Sequence, residues 1–551
     1  MKKITRREWL QCVGGAAAAW PGCGLLAAAG TVAPVAANGA GTLREAMERV
    51  GQCCLAWLDP KRSYLPVGGY EVAHDTGRWW DAMLRLEAAV GFAIPPHLET
   101  ALRGNFRVLT DNPAGLLAND ERLADLKGTG QTNPHNFRES MLSYSGLVRH
   151  RGDDWSRRQG RRLVEATERL LEPDGQLDYE RLAALVKKPL NPDPAMIHRA
   201  PAGQWFDATC STGRAIEGFL RFYEAAGESR ALELAARLAK AHLRQLARPD
   251  GKVPPELRER NHVGHNHSYL GTLRGLLLHG LLTDGREYVE AVARTFRQGL
   301  FGTVASESGW TPHDLGKSRF ANEQGDPVGE HGSCSDLVQL ALGLGLKGGH
   351  PEFLDDAERL IRARLLPSQI HDPATPRQHG AWGVYSHPYG RGCILDVFAA
   401  VLQVLTDVYG AIVTRSADGS VAVNLHFSVE TAAASVEAAR AGRGRLRVRL
   451  KQAGGLRIRV PGWAPRATLQ LTRDGEPLPV QWDGTYVTVA AAGAAPGAAV
   501  ELQYDLPPRE TVETMPVSRR EYRLTWRGDE VTGCDPAGPI YPARAVAGPG
   551  K

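Results

Sequence analysis

Cysteine, methionine and aromatic residues are all sparse in this chain. There are 8 Cys and 6 Met in 551 residues, and Phe, Trp and Tyr together reach 7%. So few cysteines in so long a chain exclude a disulfide-stapled scaffold. Charge of one sign is missing too. The net charge is +5, and Lys2, Lys3, Arg6 and Arg7 against Glu8 supply three of it. Without a basic stripe, nucleic acid is not an expected partner. Beyond the first forty residues no stretch reaches the ~20 apolar residues that span a bilayer. What is present is ordinary: 43% hydrophobic and 23% charged residues, enough for a large core.

Residues 1–37 read as an address. Arg6-Arg7 follows Lys2-Lys3 and precedes the Ala/Gly-rich apolar stretch from Val13 to Ala29. This is the pattern of a twin-arginine export signal, with cleavage expected near Ala36 or Ala37. The expected location is periplasmic or secreted, free of the membrane after cleavage.

From 42 to 412 the apolar residues recur at helical spacing in about a dozen segments, from Leu43–Leu58 to Ile394–Ile412. Turn chemistry separates them, as in Pro173-Asp174-Gly175 and Pro249-Asp250-Gly251. Paired helices with short turns predict a mainly α domain, an (α/α)6 toroid barrel, with an open helical solenoid as the alternative. From 413 to 515 the period falls to two, which predicts a C-terminal β-sandwich. Residues 516–551 carry weak signals and are expected to add a strand or two that wrap back onto the barrel.

Several motifs recur in a telling order. His74-Asp75-Thr76-Gly77-Arg78-Trp79-Trp80, His267 to Gly275, Cys334 and Gly392-Cys393 lie in the helical part. Asn424-Leu425-His426-Phe427, Leu456 to Ala464 and Asp474-Gly475 lie in the β part. Across roughly residues 45–510 the chain resembles the β-L-arabinofuranosidase-like glycoside hydrolases of family 127 and their clan. The resemblance implies a barrel followed by a sandwich and a sugar pocket at one barrel end. It also implies a cysteine thiolate nucleophile on a zinc ion, held by Glu-x-Cys and Cys-Cys elements, with a separate glutamate as acid/base.

The chain departs from that pattern at the metal. Gly332 stands where Glu-x-Cys needs its acid, and only Cys393 remains of the Cys-Cys pair. Two outcomes follow. Either Glu330, His331, Cys334 and Cys393 hold zinc with His replacing Cys, or the metal is gone.

Cys393 is accordingly the candidate nucleophile or a buried small hydrophobe. The stretch 308–336 is dense in chemistry and poor in helical pattern, as functional loops are. It offers Glu323 and Glu330 as acid/base, Trp310 for stacking on a sugar, and His313 and Asp314 as polar contacts. His265 and His267 suit hydrogen bonds to sugar hydroxyls at the barrel mouth, or a place in the core. His74 and Asp75 precede Arg78-Trp79-Trp80, where Asp75 would cap a helix or line the pocket. Asp75, Glu139 and Asp207 are reserve carboxylates for a two-carboxylate hydrolase or lyase in the same barrel. The function expected is an exported, exo-acting glycoside hydrolase on polysaccharide or oligosaccharide fragments. A catalytically silent carbohydrate-binding relative is the alternative. Oligomeric state stays open.

Overall fold

The computed structural model describes residues 42–66, 70–123, 130–191, 212–259, 264–316, 320–322, 324–383, 393–416 and 419–536. The leader, Asp207, Cys210, His262, Lys317, Arg319, Glu323, Gly392 and residues 537–551 therefore lie outside the described residues.

Six helices form an inner ring: α2 (Val72–Val90), α4 (Asn136–Arg151), α7 (Thr212–Ala226), α9 (Asn266–Leu282), α11 (His331–Leu346) and α13 (Leu395–Ala411). Each packs on the next, and α13 packs back on α2, so the ring closes. The open solenoid is excluded. Between them in sequence run the outer helices α1 (Leu43–Ala56), α3 (Pro96–Leu109), α5 (Asp154–Leu170), α8 (Ser229–Leu246), α10 (Arg286–Thr295) and α12 (Phe353–Leu360). A short α6 (Tyr179–Val186) is added after α5. This is the (α/α)6 toroid.

Local chemistry sets the helix ends. Thr42 and Glu45 make a reciprocal cap at the start of α1. Asp153 and Asp178 cap α5 and α6 through their side chains. Gly251 turns at φ 69°, and a Cβ there would sit 2.8 Å from the Arg294 carbonyl, so only glycine fits. The outer helices bury one stripe, as Leu234, Ala235, Leu238 and Leu246 do on α8. Inner helices are buried all round: every residue from Asn136 to Val148 on α4 is buried.

Two helices begin earlier than their periodicity suggests. The first was expected from Arg78 and starts at Val72, so His74 and Asp75 lie inside its first turn and Glu71 takes the cap position. The other starts at His331, inside the 308–336 stretch that carries little helical pattern, and so places Cys334 within the helix.

The β region is a sandwich. One sheet runs β10 (Glu476–Pro477), β9 (Gln470–Arg473), β13 (Ala499–Asp505), β7 (Arg443–Leu450), β6 (Ala434–Ala439), β5 (Val429–Glu430). The other runs β11 (Gln481–Asp483), β12 (Tyr486–Val489), β8 (Leu456–Arg459), β4 (Val421–Val423), β3 (Val413–Arg415). Small β1 (Leu58–Asp59) and β2 (Leu65–Pro66) belong to the barrel. The sandwich is fastened to the barrel at α12 and the turn after it. Arg459 pairs with Asp355 and Glu358, Arg362 pairs with Glu358 at 3.1 Å, and the His426 amide donates to Glu358 at 3.2 Å.

The C-terminal extension starts sooner than expected. β14 (Pro508–Thr514), β15 (Glu521–Arg527) and β16 (Glu530–Asp535) form a separate antiparallel sheet. It does return to the barrel. The Glu513 carboxylate accepts from the Ser308 amide at 2.7 Å and hydroxyl at 2.9 Å, and Met515, Tyr522, Leu524 and Trp526 pack with Trp310.

Candidate active site

Chemistry-bearing side chains gather where the first turns of the inner helices meet. Asp75 and Arg78 come from α2, Arg138 and Glu139 from α4, Arg214 from α7, His267 from α9, Asp336 from α11 and Asp396 from α13. Helix N-termini are the positive ends of their dipoles, so a ring of them favours buried carboxylates.

Glu139 organises the cations. It lies 2.9 Å from Arg78 Nε, 2.9 Å from Arg138 and 3.1 Å from Arg214. Burial alone would raise its pKa, but Arg78, His74 and Arg214 outweigh it and keep Glu139 ionised. His267 is locked as a neutral ring. Arg78 and Arg138 donate to its Nε2 at 2.7 and 3.2 Å, which leaves Nδ1 to donate to Asp336. Burial and the nearby Arg214 and Arg78 hold the His267 pKa well below its usual range.

Asp75 and Asp396 behave oppositely to Glu139. Burial pushes the Asp75 pKa well up, and the charges of Asp396 and Glu71 push it further. Burial also raises Asp396, against the pull of Arg78 and Arg214. Both Asp75 oxygens and Asp396 Oδ1 are buried with no side-chain hydrogen-bond partner. Asp396 is the more open of the two, its side chain 15% exposed. His74 stands between the two groups, its Nε2 3.8 Å from Glu139 and 4.0 Å from Asp396. Two acids that repel each other and are shut away from water hold their protons more tightly than free carboxyls do.

At the rim, His265, His313 and Glu330 bring ligand atoms within 4.8 Å of one another. Among the described residues this is the group of three that has metal-ligand geometry.

The expected four-ligand set is not assembled. Cys334 is fully buried in the core, close under Gly309, and burial pushes its thiol up to about 12. His331 turns its Nδ1 to the Gly383 carbonyl at 2.8 Å. Cys393 packs against the core near Cys53, and burial pushes its thiol up to about 12 as well. A nucleophilic thiol needs a cation, imidazolium or metal to ionise it, and burial works the other way. Of that set only Glu330 reaches the metal-type group. The five described cysteines are free.

The remaining expectations divide. His74, Asp75 and His267 stand within the ring, and His265, His313 and Asp314 at its rim. Trp310 lies apart, lining a groove of about 940 Å³ between the 301–316 segment and β14, with Asp314 on its wall. Glu323 falls outside the described residues. Sequence reasoning missed Asp396, Asp336 and Arg214. Their shared signal is a charge within the first two turns of a helix that is buried there on nearly every side.

Neither a protein-family model nor a curated protein sequence matches the chain. Solved structures do. A family 127 β-arabinofuranosidase superimposes with a TM-score of 0.58 at 13% identity, covering 89% of this chain and 78% of its own. A structure described as a glycoside hydrolase gives 0.56 at 14% identity, covering 83% and 77%. A family 127 β-L-arabinofuranosidase from Geobacillus stearothermophilus T6 gives 0.52 at 14% identity, covering 89% and 80%. The resemblance read from the motifs thus holds at the level of the fold: this chain has the barrel-and-sandwich architecture of those glycoside hydrolases.

Proposed function

We propose that the protein is a glycoside hydrolase that acts through paired carboxyl groups in its barrel. One observation carries the reading. Asp75 and Asp396, from the first and last inner helices, meet as buried acids whose pKa values are both raised. Glycoside hydrolysis needs a carboxylic acid for the leaving oxygen and a carboxylate for water or the anomeric carbon. Raised pKa values favour the protonated form that a general acid needs, and two carboxyl groups are present to divide the roles. Asp396, the more open, meets the sugar first, and Asp75 supplies the second carboxyl group. Glu139 holds Arg78, Arg138 and Arg214 in place, His267 braces Arg78 and Arg138, and His74 offers its Nε2 to a hydroxyl.

The fold of family 127 enzymes supports a carbohydrate substrate, and the sugar released by an exo-acting hydrolase is the expected product. Export through the leader belongs to the same proposal and rests on Arg6-Arg7 and the apolar stretch behind them. Among the described residues no helix is long and apolar enough to cross a membrane. Zinc is kept in this reading as a bound cation, not as the anchor of a thiolate nucleophile.

A panel of 4-nitrophenyl furanosides and pyranosides tests it. Asp396→Asn should abolish turnover of whichever glycoside is cleaved, and Cys393→Ser should leave it intact. The reverse pattern restores the thiolate mechanism. Sugar binding without turnover by the wild type makes the protein a silent carbohydrate-binding relative.

A further inference from the structure

The rim cluster has a construction that sugar contacts alone do not require. Three backbone segments are laced together there. Asn266 donates to the His313 carbonyl at 3.0 Å, Leu315 to Gly264 at 2.9 Å, His313 to Val328 at 2.8 Å and Glu330 to Thr311 at 2.9 Å. His265 faces Asp314 across a short antiparallel bridge. Residues far apart in sequence are thereby fixed side by side on backbone that is itself tied down.

The side chains are fixed as well. Ser268 Oγ holds His265 Nδ1 at 2.8 Å. The Asp314 carboxylate holds His313 Nδ1 at 2.9 Å. Ser333 Oγ donates to Glu330 Oε2 at 2.9 Å. A carboxylate or hydroxyl behind the far nitrogen is what orients a metal-binding imidazole, fixes its tautomer and raises its basicity. His265 Nε2 faces Glu330 Oε2 across 3.9 Å.

We propose that His265, His313 and Glu330 bind one divalent cation of the zinc class through two imidazole nitrogens and one carboxylate oxygen. This deepens the zinc component of the function proposed above, and it stands whether or not the barrel cleaves a glycoside. It also separates this chain from the sulfur-rich site the resemblance implies, because none of its donors is a thiol. Bonds of about 2.1 Å in a tetrahedron put donors roughly 3.4 Å apart. His265 and Glu330 are 3.9 Å apart and all three donors lie within 4.8 Å, so side-chain shifts of about an ångström separate the cluster from that spacing. Three protein ligands leave a position for water or a sugar hydroxyl, the pattern of working sites and not of purely structural ones. Nitrogen and oxygen donors suit zinc, cobalt and nickel over the hard ions magnesium and calcium.

Cobalt reports both binding and donor type. Full-length protein stripped with chelator and titrated with Co²⁺ should take up one ion per chain. Visible d–d bands should appear without the near-ultraviolet charge-transfer band that a thiolate ligand gives, and Zn²⁺ should erase them. His313→Ala and Glu330→Gln should each abolish the bands, while Cys334→Ser and Cys393→Ser leave them unchanged. Asp314→Asn, which keeps all three donors, should weaken affinity about 10–100-fold. It covers the case in which the ligand variants fail to fold. A charge-transfer band lost in either serine variant overturns the proposal. So does the absence of saturable binding, or binding unaffected by His313→Ala and Asp314→Asn in folded protein. Turnover plays no part in this readout, so failure here leaves the carboxylate mechanism standing, and failure there leaves the metal site standing.

Discussion

Two of the buried ionic clusters among the described residues are built on opposite plans. At the barrel–sandwich seam, Glu358 is met by Arg459, Arg362 and the His426 amide. Burial alone would raise its pKa, but Arg362, His426 and Arg459 draw it down to about 2. At the ring end, Asp75 and Asp396 are left facing each other, with raised pKa values and buried oxygens that no side chain partners. Asp75 and Glu358 are equally hidden from water. What separates them is satisfaction: the seam carboxylate has cations at contact distance, and the ring-end pair has raised pKa values and unpartnered oxygens. Groups kept in that costly state are where function is to be sought.

The sharpest way to break the comparison is to remove one acid from the ring end. Asp396→Asn should lower kcat about 10²–10⁴-fold while thermal unfolding barely changes, since the variant removes a repulsion and not a pair. A drop in stability with turnover retained would put Asp396 on the seam's plan.

The matching change at the seam is Arg459→Met. It leaves Glu358 and Asp355 facing lost charge, and breaking such a buried pair costs about 3–5 kcal/mol. Denaturant unfolding should show that loss, with kcat of the still-folded protein unchanged at low temperature.

Acidity should then act on the two regions in different ranges. The seam carboxylate has a depressed pKa, so its contribution is present above the unfolded value of about 4.3 and is lost as pH falls through about 2. Melting temperature against pH should show this acid-sensitive component, and Arg459→Met should shrink it while Arg362 and His426 keep the rest. The ring-end pair has raised pKa values, so kcat/KM should fall on the alkaline side as its proton leaves, above the ordinary carboxylate range. Glu71 adds to the shift of Asp75, so Glu71→Gln should move that limb to lower pH.

The smallest effect is expected at Cys393→Ser. A thiol whose pKa is pushed up to about 12 by burial contributes packing, not a nucleophile, and turnover should change less than about twofold.

How much of this was legible in the chain depended on which rule each residue obeys. Helix after helix was readable because outer helices bury a single stripe, and the change to period two marked the sandwich. Ring closure was not readable, because it depends on α13 meeting α2, a contact no local pattern encodes. Asp75 looked like a cap because it precedes the apolar run at Trp79. The chain had already entered the helix at Val72, which put Asp75 in the lumen. His265 and His267 are neighbours in sequence but serve different centres, one at the metal-type triad and one under Arg78 and Arg138. The motifs that carried the resemblance in the β part, Asn424 to Phe427 and Leu456 to Ala464, turn out to be seam residues. Asn424 bonds the end of α13 and Arg459 clasps α12, so those motifs preserve architecture and are silent about chemistry. The cysteines misled for that reason: their spacing kept the family's order while their surroundings became core.

Closure of the ring by its last helix has a temporal consequence. Asp75 is synthesised early, and its partner arrives only when α13 emerges and docks against α2. Until then the nascent chain holds five-sixths of a wall and no coupled acid pair. A ribosome-bound or truncated product lacking α13 should therefore be inert however well its earlier helices have packed, and competence should appear in one step at the end of barrel assembly.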